Sequence, residues 1–137
     1  MPEALVKFGL DTALKDFCND INQNGMVKID YQSIDMEKAE IDQTTAINIY
    51  RIVQELVNNI LKHAAAKSVF LQVTNTNGQL AVTVEDDGKG FDTSILTLEK
   101  GMGWNNIQSR IKFLNGKIDV QSDSSKGTSI HFELNTR

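Results

Sequence analysis

Glu55, Asn59, Lys62 and His63 stand at i, i+4, i+7 and i+8, so on a helix all four project from one face. With the ~100° advance per residue of a helix, that face lies about a quarter turn from an apolar stripe made by Ile49, Ile52, Val53, Leu56 and Ile60. A solvated polar face explains any one of the four, and explains the set less well. A Mg-nucleotide site has a use for each. Asn59 offers a neutral carbonyl oxygen, a hard ligand for Mg²⁺, an ion that takes few protein ligands and completes its shell with phosphates and water. Lys62 supplies a point charge beside phosphate oxygens. His63 can hydrogen-bond to phosphate or to a metal-bound water. Glu55 can accept a proton from an attacking nucleophile or from such a water. Glu55 and Asn59 alone are too few to hold a metal without the nucleotide.

A second constellation begins as the alternating run Val82-Thr83-Val84-Glu85 and passes through Asp86-Asp87 into Gly88-Lys89-Gly90. A strand holds its last residues rigidly, and glycines let another group approach the backbone with no Cβ in the way. Asp-Gly is also a common turn dipeptide, so a plain turn explains the stretch taken alone. Gly101-Met102-Gly103 precedes a helical pattern, where backbone N–H groups and the helix dipole favour an anion. Lys126-Gly127-Thr128 adds a further glycine turn. There is no Gly-x-x-x-x-Gly-Lys-Ser/Thr loop, which excludes a P-loop site, and no Gly-x-Ser-x-Gly elbow. Two histidines and one cysteine leave little material for a hydrolytic triad.

The elements that must position these residues follow from periodicity. Leu10, Leu14, Phe17 and Ile21 predict a helix from Phe8 to Ile21, with Cys18 a buried thiol beside them and Gly25 the left-handed cap. Val27 to Tyr31 reads as a strand and the next ten residues as a polar loop. A long helix is expected from about Asp42, its N-cap, to about Ala65. Ser68–Thr74 and Gln79–Glu85 are strands joined by the hairpin turn Asn77-Gly78. Residues 92–102 lack periodicity and suggest a mobile loop. A third helix is expected over Asn105–Leu114, then strands over Lys117–Gln121 and Thr128–Leu134. The expected fold is an α/β, or α+β, two-layer sandwich, a mixed sheet covered by helices.

The 137 residues suit a single domain, and the net charge of −4 gives no general affinity for nucleic acid or anionic membrane. No apolar run approaches the ~20 residues of a membrane span, and the N-terminus lacks a signal-peptide pattern. Cys18 stands alone, so neither an internal disulfide nor a cysteine-built metal site is possible. The expectation is a cytoplasmic domain that inserts in no membrane.

Glu55-Leu-Val-Asn-Asn59-Ile-Leu-Lys-His63 resembles the N box of the GHKL ATPases, the superfamily of sensor histidine kinases, DNA gyrase B, heat-shock chaperones and mismatch-repair ATPases. Asp86-Asp-Gly88-Lys-Gly90 is similar to its first glycine box, Gly101-Met-Gly103 to the second and Gly127-Thr128 to the third. Within the superfamily the likeness is greatest to the ATP-binding domain of nitrate-sensor-like histidine kinases. Trp104-Asn-Asn-Ile-Gln-Ser-Arg110 stands where a Leu-x-x-Met-x-x-Arg run is common there, and residues 1–10 resemble the junction that leaves the dimerisation helices. Ser125 departs from the third box, and Trp104 replaces a small aliphatic residue.

The resemblance implies a Bergerat-type ATP-binding fold over residues 1–137, with an ATP lid over 92–103. It implies ATP and Mg²⁺ as cofactors, with Asp86 accepting a hydrogen bond from the adenine amine and Asn59 as the metal ligand. Guanine would present an acceptor to that carboxylate. Glu55 is the implied catalytic base. Lys62, His63, Gly88, Gly90, Gly101, Gly103 and Thr128 complete the nucleotide-binding set, with Phe91 and Ile130 lining the adenine slot. The implied reaction is transfer of the γ-phosphoryl group to a histidine on a separate dimerisation and phosphoacceptor domain of the same kinase, with a response regulator as indirect partner. Neither His63, in the N box, nor His131, in a strand, is placed as the acceptor, so that region is expected outside this chain. A free-standing serine kinase of the anti-sigma-factor type and a nucleotide-binding module without transfer activity are the alternatives.

Overall fold

A computed structural model describes residues 3–63, 65–90, 103–123 and 126–136. The elements run α1 (Glu3–Asn24), β1 (Lys28–Ile34), a 3-10 turn (Met36–Lys38), α2 (Gln43–His63), β2 (Ser68–Thr76), β3 (Gln79–Asp86), α3 (Trp104–Phe113), β4 (Lys117–Asp123) and β5 (Gly127–Asn135). Five strands form one sheet in the order β1-β2-β3-β5-β4. β1 and β2 pair in parallel, which the crossover through α2 permits, and every other pairing is antiparallel. The architecture is the expected mixed sheet covered on one face by helices.

Alternation decides which face of the sheet is covered. Val69, Leu71 and Val73 of β2, Leu80, Val82 and Val84 of β3, and Ile130, Phe132 and Leu134 of β5 all point into the core. They meet Leu10, Leu14 and Cys18 of α1, Ile49, Ile52, Val53, Leu56, Val57 and Ile60 of α2, and Ile107 and Ile111 of α3 in one cluster. Burial pushes the Cys18 thiol up to about 12, which makes it an inert core group.

Local signals set the ends of the elements. Asp42 caps α2, its Oδ1 accepting the Thr45 N–H at 2.7 Å. Asn77 (φ 51) and Gly78 (φ 85) both take positive φ in the two-residue turn between β2 and β3, as a primed hairpin turn requires. The Asn22 side chain closes α1 onto β1, accepting the Ile29 N–H at 2.6 Å and donating to the Ile29 carbonyl at 3.0 Å.

Two expectations need correction. The first helix begins at Glu3 and carries a break at Gly9 (φ 87, ψ −178), a backbone region open only to glycine, after which the helix resumes. Burial of Leu5 explains why the chain before the break still packs on the domain. The polar stretch after Tyr31 is not a loop throughout: β1 continues to Ile34, and Met36–Lys38 makes a 3-10 turn. Gln32, Ser33 and Ile34 pair with Gln72, Val73 and Thr74, and this ladder overrides their weak apolar pattern.

Gly25 and Gly127 separate backbone strain from crowding. Both hold positive φ (74 and 94), but a Cβ at Gly25 would meet nothing within 4 Å, whereas one at Gly127 would run into the Asp86 carbonyl oxygen. Gly127→Ala is expected to destabilise the fold by about 1–3 kcal/mol more than Gly25→Ala. Urea denaturation of the two variants checks this, and equal losses would mean that the β5 backbone moves aside freely.

Candidate functional site

β3 ends at Asp86, which continues the inward series of Val82 and Val84 and is therefore directed to the core side of the sheet. The residue is only 7% exposed. Its Oδ1 accepts the Gly88 N–H at 2.8 Å, and its Oδ2 is buried with no hydrogen-bond partner among the described residues. A buried carboxylate oxygen left unpaired is costly and so marks a place where a donor belongs. Burial pushes the Asp86 carboxyl above its ordinary value, while the amides of Gly88 and Thr128 pull it down and the Asp87 charge adds to the rise.

Asp87, the next residue, faces outward and works differently. Its Oδ1 accepts the N–H groups of Lys67 at 2.8 Å and Ser68 at 2.9 Å, which fastens the start of β2 to the end of β3. Those two amides hold the Asp87 carboxyl below its ordinary value. The sequence reading assigned Asp87 no role, although strand alternation after Val82 and Val84 already divides the two acids between the faces.

Thr128 pairs with Asp86 across β3 and β5 and with Ser122 across β5 and β4. It is buried, and its hydroxyl lies 3.0 Å from the Ser122 hydroxyl. Ser122, absent from the sequence-based set, thus supports Thr128. The backbone passing Asp86 is packed too closely for side chains. A Cβ at Gly90 (φ 67) would strike the Asp123 carbonyl oxygen and come within 3.0 Å of the Ser122 Oγ. A Cβ at Gly127 would lie 3.1 Å from the Gly88 nitrogen. Gly88, Gly90, Asp86 and Thr128 are therefore one assembly at the ends of β3, β5 and β4.

Glu55 and Gly103 form the other part. Gly103 (φ 67) is the N-cap of α3, makes no side-chain cap, and has the Glu55 carboxyl so near that any Cβ there would collide with it. A carboxylate beside a helix start is electrostatically favoured, and it marks the α3 start as a place for negative charge. Asn59 is half-buried one turn beyond Glu55 on α2. Lys62 and His63 are exposed in the last turn of α2, with no hydrogen bond or ion pair among the described residues. Ile130 is buried beside Val84 in the ladder. Trp104 is buried at the first position of α3. Gly101, Phe91, Ser125 and the expected lid, apart from Gly103, lie outside the described residues.

The donor set fits a nucleotide better than a metal alone. Among the described residues no cluster of His, Cys, Asp and Glu could hold an ion, whereas the unpaired Asp86 Oδ2 suits an amine donor.

The profile of the family described as "Histidine kinase-, DNA gyrase B-, and HSP90-like ATPase" matches residues 44–137. The chain belongs to this family. It is 38% identical over 96 residues to the sensor histidine kinase YdfH of Bacillus subtilis, covering 69% of this chain and 24% of that protein. It is 31% identical over 97 residues to the sensor histidine kinase ComP of the same organism, covering 70% of this chain and 13% of that protein. The chain thus spans a quarter or less of the length of these relatives. Among solved structures, the histidine kinase domain of the Erythrobacter litoralis blue-light activated histidine kinase superposes with a TM-score of 0.74 at 25% identity, over 93% of this chain and 61% of that one. The catalytic domain of histidine kinase ThkA matches in fold, with a TM-score of 0.71 at 15% identity, over 93% of this chain and 90% of that one. Among the described residues no helix is long and apolar enough to cross a membrane.

Raised proton affinity at Asp86 makes a signed prediction for stability. The folded state holds that proton more tightly than the unfolded chain, so the contribution is fully present below the ordinary carboxylate value and is lost as pH rises through the folded pKa. Asp86→Asn removes this loss. The variant is expected to be more stable than wild type at neutral pH, by a margin that grows as pH rises above the ordinary carboxylate value and levels off past the folded pKa. Urea midpoints for both proteins across that range check it, and a constant or shrinking margin would contradict it.

Proposed function

We propose that this chain is the ATP-binding, catalytic domain of a histidine kinase. In this reading it holds Mg-ATP and donates the γ-phosphoryl group to a histidine on a separate dimerisation and phosphoacceptor domain of the same kinase. The observation that carries the proposal is the buried Oδ2 of Asp86 at the end of the central strand, which has no partner among the described residues. An adenine amine satisfies it, and a guanine carbonyl would set acceptor against acceptor. Membership of the ATPase family and the likeness to sensor histidine kinases support the reaction class.

The residues divide by distance from the base. Asp86 orients adenine, Gly88 and Gly90 let the purine lie against backbone, and Thr128, backed by Ser122, supports the same wall, with Ile130 behind it. Asn59 is the Mg²⁺ ligand, completed by phosphates and water. Lys62, His63 and the two glycines Gly101 and Gly103 serve the phosphates, the last two at the α3 start. Glu55 is the base or hydrogen-bond acceptor nearest the transferred group. Phosphoryl transfer asks little covalent chemistry of a protein, so positioning and charge stabilisation are its main contributions. A cytoplasmic setting, a response regulator as onward partner and a lid over residues 92–103 belong to the same proposal.

Two variants test the division. Asp86→Ala loses a charged acceptor and is expected to weaken ATP about ten- to a hundredfold in calorimetry, with adenine preferred over guanine only in wild type. Glu55→Gln is expected to keep ATP affinity but slow transfer to a phosphoacceptor domain supplied in trans. Equal ATP affinity in wild type and Asp86→Ala would sink the adenine assignment. Wild-type transfer by Glu55→Gln would remove the base role.

A further inference from the structure

α2 and α3 approach each other at two places with matched spacing. The Glu55 carboxyl lies against Gly103, and Arg110 Nη1 donates to Asn48 Oδ1 at 2.9 Å. Seven residues separate Asn48 from Glu55 and seven separate Gly103 from Arg110, a rise of about 10.5 Å on each helix. The helices therefore run antiparallel over one shared interval, with the side-chain hydrogen bond at its Asn48–Arg110 end. Within that interval Ile52 and Ile107 are buried. Apolar packing is non-directional and tolerates sliding, whereas a hydrogen bond does not.

Asn48 is built for this contact. It is 9% exposed, and its Nδ2 donates to the Thr44 carbonyl at 2.9 Å, which turns its Oδ1 toward Arg110. The positive guanidinium also sits in the last turn of α3, where the helix dipole favours it. We propose that Arg110 and Asn48 are positioning residues for the phosphate end of the site. Their hydrogen bond sets how far α3 lies along α2, and so where Gly103 and the first N–H groups of α3 stand relative to Glu55 and Asn59. The pair acts on phosphate and leaves the adenine end alone, because Asp86, Gly88 and Thr128 are held by the sheet. That role presupposes the nucleotide reading proposed above.

NMR titrations of this chain with ATP, ADP and adenosine separate the two ends of the ligand. For Arg110→Gln and Asn48→Ala, ATP and ADP are expected to weaken about three- to tenfold while adenosine changes by no more than about twofold. The double variant should be no weaker than the weaker single one, and Arg110→Lys, which keeps a donor, should recover part of the loss. Parallel losses for ATP and adenosine would show a general effect on folding and overturn the role, as would unchanged ATP affinity. Should Arg110→Gln or Asn48→Ala fail to fold, Arg110→Lys and Asn48→Ser carry the same comparison. If wild type binds ATP and these variants lose no selectivity for phosphate, only the positioning role fails. If wild type binds no nucleotide, both proposals fall.

Discussion

A carboxylate oxygen buried without a donor is the constraint on which the site depends. Asp86 Oδ2 has given up water and found no protein partner among the described residues, a state that folding alone disfavours. The group stays there because the sheet holds it. Val82 and Val84 are buried on the same face, Thr128 is paired opposite it, and the Gly88 amide grips its other oxygen. Its neighbour Asp87 uses the same strand end for the opposite purpose, spending its charge on the amides of Lys67 and Ser68. Two adjacent acids thus become one unsatisfied group and one fastening.

Close backbone approach is the second requirement, and it accounts for the glycines. Gly127 is forced by the Asp86 carbonyl and Gly90 by the Asp123 carbonyl, while at Gly103 the positive φ is joined by the Glu55 carboxyl, the movable end of a side chain. In each case the obstacle is a polar oxygen, and at Gly90 and Gly127 it belongs to rigid backbone. A side chain at either position would have to move a strand end. The turns are therefore spacers that set how near the segment after β3 comes to β4 and β5.

The two parts of the site rest on different supports. The Asp86 assembly is carried by β3, β5 and β4, whose core residues Val82, Ile130 and Phe132 are buried in one cluster. The Glu55 and Gly103 part is carried by α2 and α3, which meet through fewer directional contacts, the Asn48–Arg110 bond among them. In the proposed reading the sheet-borne part would face the flat base and the helix-borne part the phosphates, where charge and geometry change during transfer.

Much of this was legible in the chain itself. Helical spacing put Glu55 and Asn59 on one face of α2 and Asn77-Gly78 defined the hairpin, because each depends only on local periodicity or local φ, whereas the strand carried Asp86 inward by running one residue past its expected end at Glu85. Other features needed the folded chain. The extension of β1 to Ile34 arises from pairing with β2, and the contacts of Arg110 with Asn48, 62 residues apart, and of Ser122 with Thr128 have no local signature. The same holds for the burial of Asp86 Oδ2 with no partner among the described residues. Sequence determined which residue types lay on which face. Tertiary structure alone decided which polar groups found partners, because a hydrogen bond needs its donor and acceptor, here on segments far apart in the chain, to be placed to within a few tenths of an ångström.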